Sequence, residues 1–151
     1  MIQLLRAFTS VGFVGTIPGA PGTYGSLVTL PLAYLWSTRV TDNIFFTIGV
    51  VVILTILGIF ASTRVAKSLG IEDPSEIVID ELVGQWIAVL AIPNHWGYWL
   101  GAFVLFRIFD IWKPWIIDKS QHLPGGFGIM IDDVLAGLVA LILIQGTALV
   151  L

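Results

Sequence analysis

No cysteine occurs anywhere in the 151 residues, which removes disulfides, thiolate metal sites and every cysteine-nucleophile mechanism. Charge is scarce as well. Only 11% of the residues are Asp, Glu, Lys or Arg, against roughly 25% in an ordinary soluble domain. Seven basic residues, no basic tract and a net charge of −3 argue against a nucleic-acid partner. A cleavable leader is not expected, because glycines and prolines break the first apolar run before any small-residue cleavage site.

Apolar side chains fill the space that charge leaves. The chain is 57% hydrophobic, with a mean hydropathy of +0.97. A soluble fold of this size leaves about a third of its unfolded surface in water, so it could not hide so much apolar area. The expectation is an all-α, polytopic membrane helix bundle, a single domain over residues 1–151, with the lipid bilayer as its solvent.

Charge-free windows mark the spans. Asn43 to Thr63 is uncharged and rich in Ile, Val, Leu and Phe, long enough to cross a hydrocarbon core of about 30 Å. Val134 to Leu151 is uncharged too and crosses if its helix begins near Ile131. The window from Leu82 to Phe106 holds Pro93, Asn94, His95 and Gly97 in its middle. It reads either as one kinked helix or as two helices joined by a turn. Asp73-Pro74-Ser75-Glu76 has the form of a capping box, so a helix from Pro74 to Ile92 is expected, followed by one from about Trp96 to Trp112. A short helix from about Tyr24 to Thr38, preceded by a loop and an interfacial N-terminal segment, completes about five helices, the first short.

Basic residues choose between the two readings. With the Pro93 turn on the far side, Arg6, Arg64, Lys67, Arg107, Lys113 and Lys119 share one face and only Arg39 lies opposite; the kinked helix leaves almost no bias. The positive-inside rule therefore favours the hairpin, with the basic face cytoplasmic. The six tryptophans read mainly as interfacial belt residues.

The same topology sends nine of the ten acidic residues to the cytoplasmic side, Asp42 excepted. Asp80 and Glu81 are expected about two turns into their helix, Asp80 sharing a face with Glu76 and Gly84. Arg107, Asp110 and Lys113 follow at three-residue spacing. Asp132 and Asp133 open the last helix, where Ala136 and Gly137 allow another helix to come close. Three helix ends thus present carboxylates to one region, and burying them costs a few kcal/mol each unless something pairs with them. Oxygen ligands without cysteine suit a hard cation such as Mg²⁺, which can activate water and offset charge on a phosphoryl group. Arg107, Lys113 and Lys119 would supply phosphate counter-charges. Two glycine-rich loops, Pro21–Ser26 and Gly125–Gly128, lie on the same face, where backbone N–H groups can approach an anion. The plainer alternatives are helix capping for Asp132 and Asp133 and an intrahelical ion pair for Arg107 and Asp110. His95, on the far side, is set aside, and His122 lies on the active face.

These residues also form a pattern. Ala20-Pro21-Gly22-Thr23-Tyr24-Gly25-Ser26, Ile79-Asp80-Glu81-Leu82-Val83-Gly84, Phe106-Arg107-Ile108-Phe109-Asp110-Ile111-Trp112-Lys113-Pro114 and the stretch from Gly125 to Gly137 together resemble the phosphatidylglycerophosphatase A family. The resemblance runs from about residue 10 to residue 140. It implies Mg²⁺-dependent removal of the terminal phosphate from the phospholipid phosphatidylglycerophosphate, giving phosphatidylglycerol at the cytoplasmic face of the bacterial inner membrane. The expected roles are Asp80, Asp132 and Asp133 as Mg²⁺ ligands and Glu81 or Asp110 as a further ligand or general base. Arg107, Lys113 and the Thr23–Ser26 loop would cradle the phosphate. A CDP-lipid phosphotransferase would need acids downstream of Gly137 that are absent. A small cation transporter, the non-enzymatic rival, would carry polar groups through to the far side, which here is almost wholly apolar.

Overall fold

The computed structural model describes residues 1–150, and seven α-helices with no strand make up the architecture among them. They are α1 Ile2–Thr9, α2 Pro21–Leu35, α3 Ile44–Leu69, α4 Ile79–Ala88, α5 Trp96–Trp112, α6 Ile116–Ser120 and α7 Gly126–Val150. Two of them, α3 and α7, are long and apolar enough to cross a membrane.

The boundaries of α3 follow from its ends. Asn43 caps it, its side-chain oxygen accepting from Phe45 N at 3.0 Å and Phe46 N at 3.1 Å, and Gly70 ends it in a left-handed conformation. Its 26 residues rise about 39 Å. Phe45, Phe46, Val52, Ile53, Ile56 and Phe60 all point outward. Such a face is stable in lipid and costly in water.

Three expected boundaries move. Helix α2 begins at Pro21 rather than near Tyr24, because Pro is well suited to the first helical position. Gly22 to Ser26 are thus helical turns rather than a loop. Helix α7 begins at Gly126 rather than near Ile131; Gly126 N donates to Thr63 Oγ1 at 2.8 Å. Asp132 and Asp133 consequently lie about two turns inside it and do not cap it.

The largest change is at α4. The expected helix from Pro74 to Ile92 is only Ile79–Ala88, and the Asp73–Glu76 capping box does not form. Glu76 instead takes a two-pronged ion pair from Arg6, both contacts at 2.8 Å. Val78 N donates to the Thr9 carbonyl at 2.9 Å. Paired charges and a backbone bond to α1 hold residues 73–78 in a non-helical path, which a local cap cannot match. Asp80 and Glu81 therefore stand in the first turn of α4, and Glu76 shares no helical face with Asp80.

Helices α4 and α5 are separate, joined through residues 89–95. The Gln145 side chain of α7 donates to the carbonyls of Leu90 and Ala91, at 3.2 and 2.8 Å. This satisfies backbone acceptors that the end of α4 leaves open.

Side-chain pairings set the directions. Gly22 of α2 lies against Glu81, and Trp36 just beyond α2 packs edge-on against Trp86 with centroids 5.6 Å apart, so α2 and α4 run parallel. Gly84 meets Gly137, and residues 90 and 91 meet Gln145, so α4 and α7 are parallel as well. Helix α3 is antiparallel to α7, with Thr63 at Gly126 and Gly58 at Met130. Helix α5 is antiparallel to α7 too, with Lys113 at Asp132 and Gly101 at Ile144. All the charged pairs sit at one end.

Every residue of α4 except Glu81 is buried. Trp86, expected as a belt residue, is in the core; Trp96, Trp112 and Trp115 are exposed.

Candidate active site

Two glycines bring the acids together. A Cβ on Gly137 would strike the Gly84 carbonyl, and one on Gly84 would lie 2.5 Å from the Phe106 ring and 2.6 Å from the Asp133 carbonyl oxygen. Only paired glycines let α4 and α7 approach this closely. One turn before each glycine stands an aspartate, Asp80 on α4 and Asp133 on α7. The spacing of four residues puts each acid on the same face as its glycine. The helix crossing thus presses two carboxylates into one place.

Asp80, Glu81 and Asp133 each offer an oxygen within 4.8 Å of the others. Asp80 and Asp133 are buried, at 8% and 2% exposure. Several of the cluster's oxygens are buried without any hydrogen-bond partner: Asp80 Oδ1, Glu81 Oε2, Asp132 Oδ1 and Asp133 Oδ2. Carboxylates so arranged repel one another and need a counter-charge. Oxygens on opposite sides of an octahedral Mg²⁺ stand about 4.2 Å apart, so this all-oxygen donor set fits a hard divalent cation after small side-chain movement.

Cations of the chain hold the outer acids. Arg107 pairs with Asp110 across three residues of α5, the plainer reading of that spacing, and its Nη1 also lies 3.5 Å from Ser26 Oγ on α2. Arg107 Nε stays buried and unpartnered. Lys113, which ends α5 with a left-handed φ of 46°, turns its ammonium onto Asp132, the contact spanning 2.5 Å. Burial works against the lysine's charge, but the Asp132 hydrogen bond and the charges of Asp132, Asp133 and Asp110 outweigh it and push its pKa up to about 12. While Asp132 is ionised, the lysine's share of the pair is therefore fully present below the ordinary lysine pKa of about 10.4. It is lost only as pH rises through about 12.

A cavity of about 970 Å³ opens over this cluster, and all five candidate acids, Asp80, Glu81, Asp110, Asp132 and Asp133, line it together with Lys113. Gly22 lines it as well; a Cβ there would strike Glu81 Oε1 and lie 3.2 Å from Arg107 Nη1. Thr23, Ser26 and Arg107 are not part of the wall, although Ser26 and Arg107 contact each other beside it. Thr23 stands in the first turn of α2. The loop Gln121–Gly125 and Gly128 form the opposite wall, including His122. His95 is at the other end of the bundle, where it caps α5 by accepting from Gly97 N at 3.2 Å.

Sequence reasoning missed two residues here. Gln85 is fully buried one turn beyond Glu81, with both amide atoms unpartnered; its four-residue spacing from Glu81 was the available signal. Lys67, counted only as a basic face residue, lines the cavity; nothing local in the sequence points there.

The geometry, an all-oxygen cluster beside cations in an open cavity, suits binding and hydrolysis of a phosphate ester. Comparisons with known proteins point the same way. A family model described as phosphatidylglycerophosphatase A matches residues 7–148. The chain is 42% identical to phosphatidylglycerophosphatase A of Escherichia coli K12, over 87% of this chain and 76% of that one. It is 41% identical to the Haemophilus influenzae protein of the same name, over 89% and 83%. A Bacteroides thetaiotaomicron protein described as "Putative phosphatidylinositol-3-phosphatase" is 44% identical over 94% of this chain and 92% of its own. No solved structure matches the chain.

Proposed function

The chain belongs to the phosphatidylglycerophosphatase A family, and we propose that it hydrolyses phosphatidylglycerophosphate to phosphatidylglycerol and phosphate, in phospholipid synthesis, with Mg²⁺ as cofactor. The observation that carries the Mg²⁺ assignment is the set of buried, unpartnered oxygens on Asp80, Glu81, Asp132 and Asp133.

Asp80 and Asp133 are the central metal ligands. Glu81 completes the compact trio, and Asp132 contributes its free Oδ1 while Lys113 holds the other oxygen. A divalent cation bound there would lower the pKa of a water and offset charge on the phosphoryl oxygens. Asp110 lines the cavity and is oriented by Arg107, a position suited to a general base. Lys113 places positive charge beside the phosphate. Arg107, with its unpartnered Nε, and the Ser26 and Thr23 hydroxyls lie beside the cavity rather than in its wall, so they would join the cradle only after Arg107 swings toward the phosphate.

The bilayer placement belongs to the same proposal. Helices α2, α3, α4, α5 and α7 form a five-helix bundle in the bacterial inner membrane, with the charged end facing the cytoplasm. Arg6, Arg64, Lys67, Arg107, Lys113 and Lys119 gather there, as the positive-inside rule requires. Acyl chains can then stay in lipid while the head group enters the cavity.

The relative with the phosphatidylinositol name raises a second substrate. Phosphatidylinositol 3-phosphate and phosphatidylglycerophosphate share one plan, a phosphomonoester joined through a polyol to a phosphodiester. Purified protein is incubated with each lipid and with phosphatidic acid, with Mg²⁺ or with EDTA, and free phosphate is measured. Release from phosphatidylglycerophosphate, lost with EDTA and restored by Mg²⁺, is expected. Equal release in EDTA overturns the metal assignment, and no release from phosphatidylglycerophosphate overturns the function.

A further inference from the structure

The cavity is far larger than one phosphate needs, and its charge is lopsided. Seven carboxylates line it, Glu72 and Asp73 at the rim in addition to the five already described. Among the described residues only two cationic side chains line it, Lys113 and Lys67. Lys113 is held by Asp132. Lys67 lies in the last turn of α3, is exposed, and has no carboxylate within ion-pair distance among the described residues. Arg6 and Arg107 are held by Glu76 and Asp110 and, like Arg64, Lys119 and Arg39, do not line the cavity.

The two lysines are also well separated. Thr63 of α3 is level with Gly126 of α7. Lys67 lies one turn outward of that level and Asp133 two turns inward, an axial separation of roughly 16 Å between backbones. Lys67 lines the cavity, and that backbone separation leaves space for a second group between it and the carboxylate cluster. A phosphomonoester at the cluster therefore leaves Lys67 free for a second anion on the same molecule.

Resting on the function proposed above, we infer that Lys67 is a specificity-determining residue that binds the internal phosphodiester, the phosphate that the product keeps. It gives the enzyme a preference for lipids with two phosphates over those with one. The contact is made alike to substrate and product, so it contributes ground-state binding and leaves the chemical step alone.

The test compares wild type with Lys67→Gln and Lys67→Arg. Substrate kinetics are measured on phosphatidylglycerophosphate, and inhibition is measured with two probes. Phosphatidylglycerol carries only the diester, and inorganic phosphate mimics only the monoester. For Lys67→Gln, KM and the phosphatidylglycerol inhibition constant should each rise about fivefold, the scale of one solvated charge contact. kcat and the inorganic phosphate constant should move by less than about twofold on the same reasoning. Lys67→Arg should restore the wild-type values. Unchanged phosphatidylglycerol inhibition overturns the inference, as does an equal rise for both inhibitors, which would put the lysine on the reacting phosphate. A fall in kcat alone overturns it too. Wild-type protein that releases no phosphate overturns the function itself, and a separate result thus marks each failure.

Discussion

Replacing Asp80 or Asp133 by asparagine keeps the side chain's shape and removes one negative charge from a crowded, buried group. Phosphate release should fall about a hundredfold or more, as for lost metal-site support, while thermal stability in detergent holds or rises because like-charge repulsion is relieved. Activity near wild type in either variant would remove that residue from the metal site. Glu76→Gln is the contrasting case. Glu76 serves Arg6 in a partly exposed pair that solvent screens, and it does not line the cavity, so activity should stay within about threefold of wild type. A loss as deep as that of Asp80→Asn would return Glu76 to the site. The identity of the acids was legible in the sequence, since carboxylates amid apolar runs are costly without a purpose. Their partners were less so. The Lys113–Asp132 pair spans 19 positions, and no periodicity reports a contact of that kind.

Helix α4 owes its place to two contacts, each with its own prediction. Gly137→Val drives a branched side chain into the Gly84 carbonyl and should cost about 1–3 kcal/mol, as overpacking does, with activity falling because Asp80 and Asp133 separate. Thermal unfolding and phosphate release on the same preparation check both parts. Gln145→Ala strips two hydrogen bonds from Leu90 and Ala91 and should lower stability by about 1–2 kcal/mol. It lies far from the acids, so kcat should change little. The existence of α3, α5 and α7 was legible from their apolar windows, and the hairpin from the basic residues. The start of α4 was not. Asp73-Pro74-Ser75-Glu76 carries a sound local cap signature, but Arg6, 70 positions away, holds Glu76. A tertiary ion pair overrode a local preference. At α7 the helix runs back through Gly126 because Thr63 accepts its first N–H, again a partner from another element.

For the whole molecule, the absence of cysteine makes topology directly testable. Single cysteines at Ser75, on the cavity wall, and at Asn94, in the exposed α4–α5 turn, should react with a membrane-impermeant maleimide from opposite sides. Ser75→Cys should label only in inverted vesicles and Asn94→Cys only in intact cells. Labelling of both from one side would overturn the five-span arrangement, and the reverse pattern would put the site outside the cytoplasm. The all-helical class and the two apolar helices long enough to cross a membrane were legible from composition, because so little charge leaves long uninterrupted apolar windows. The cavity was not, since it arises where α2, α3, α4, α5 and α7 meet.

Helix α4 has ten residues and is buried on nearly all sides, packing most extensively against α7. Ten residues fall well short of the 17 or so that a self-sufficient transmembrane helix needs. Such a segment is held in place by the helices around it rather than by its own partitioning. Asp80 and Glu81 stand on α4 and Asp133 on α7, so the acidic trio exists only while those two helices are in contact, and whatever loosens that contact disperses the carboxylates at once.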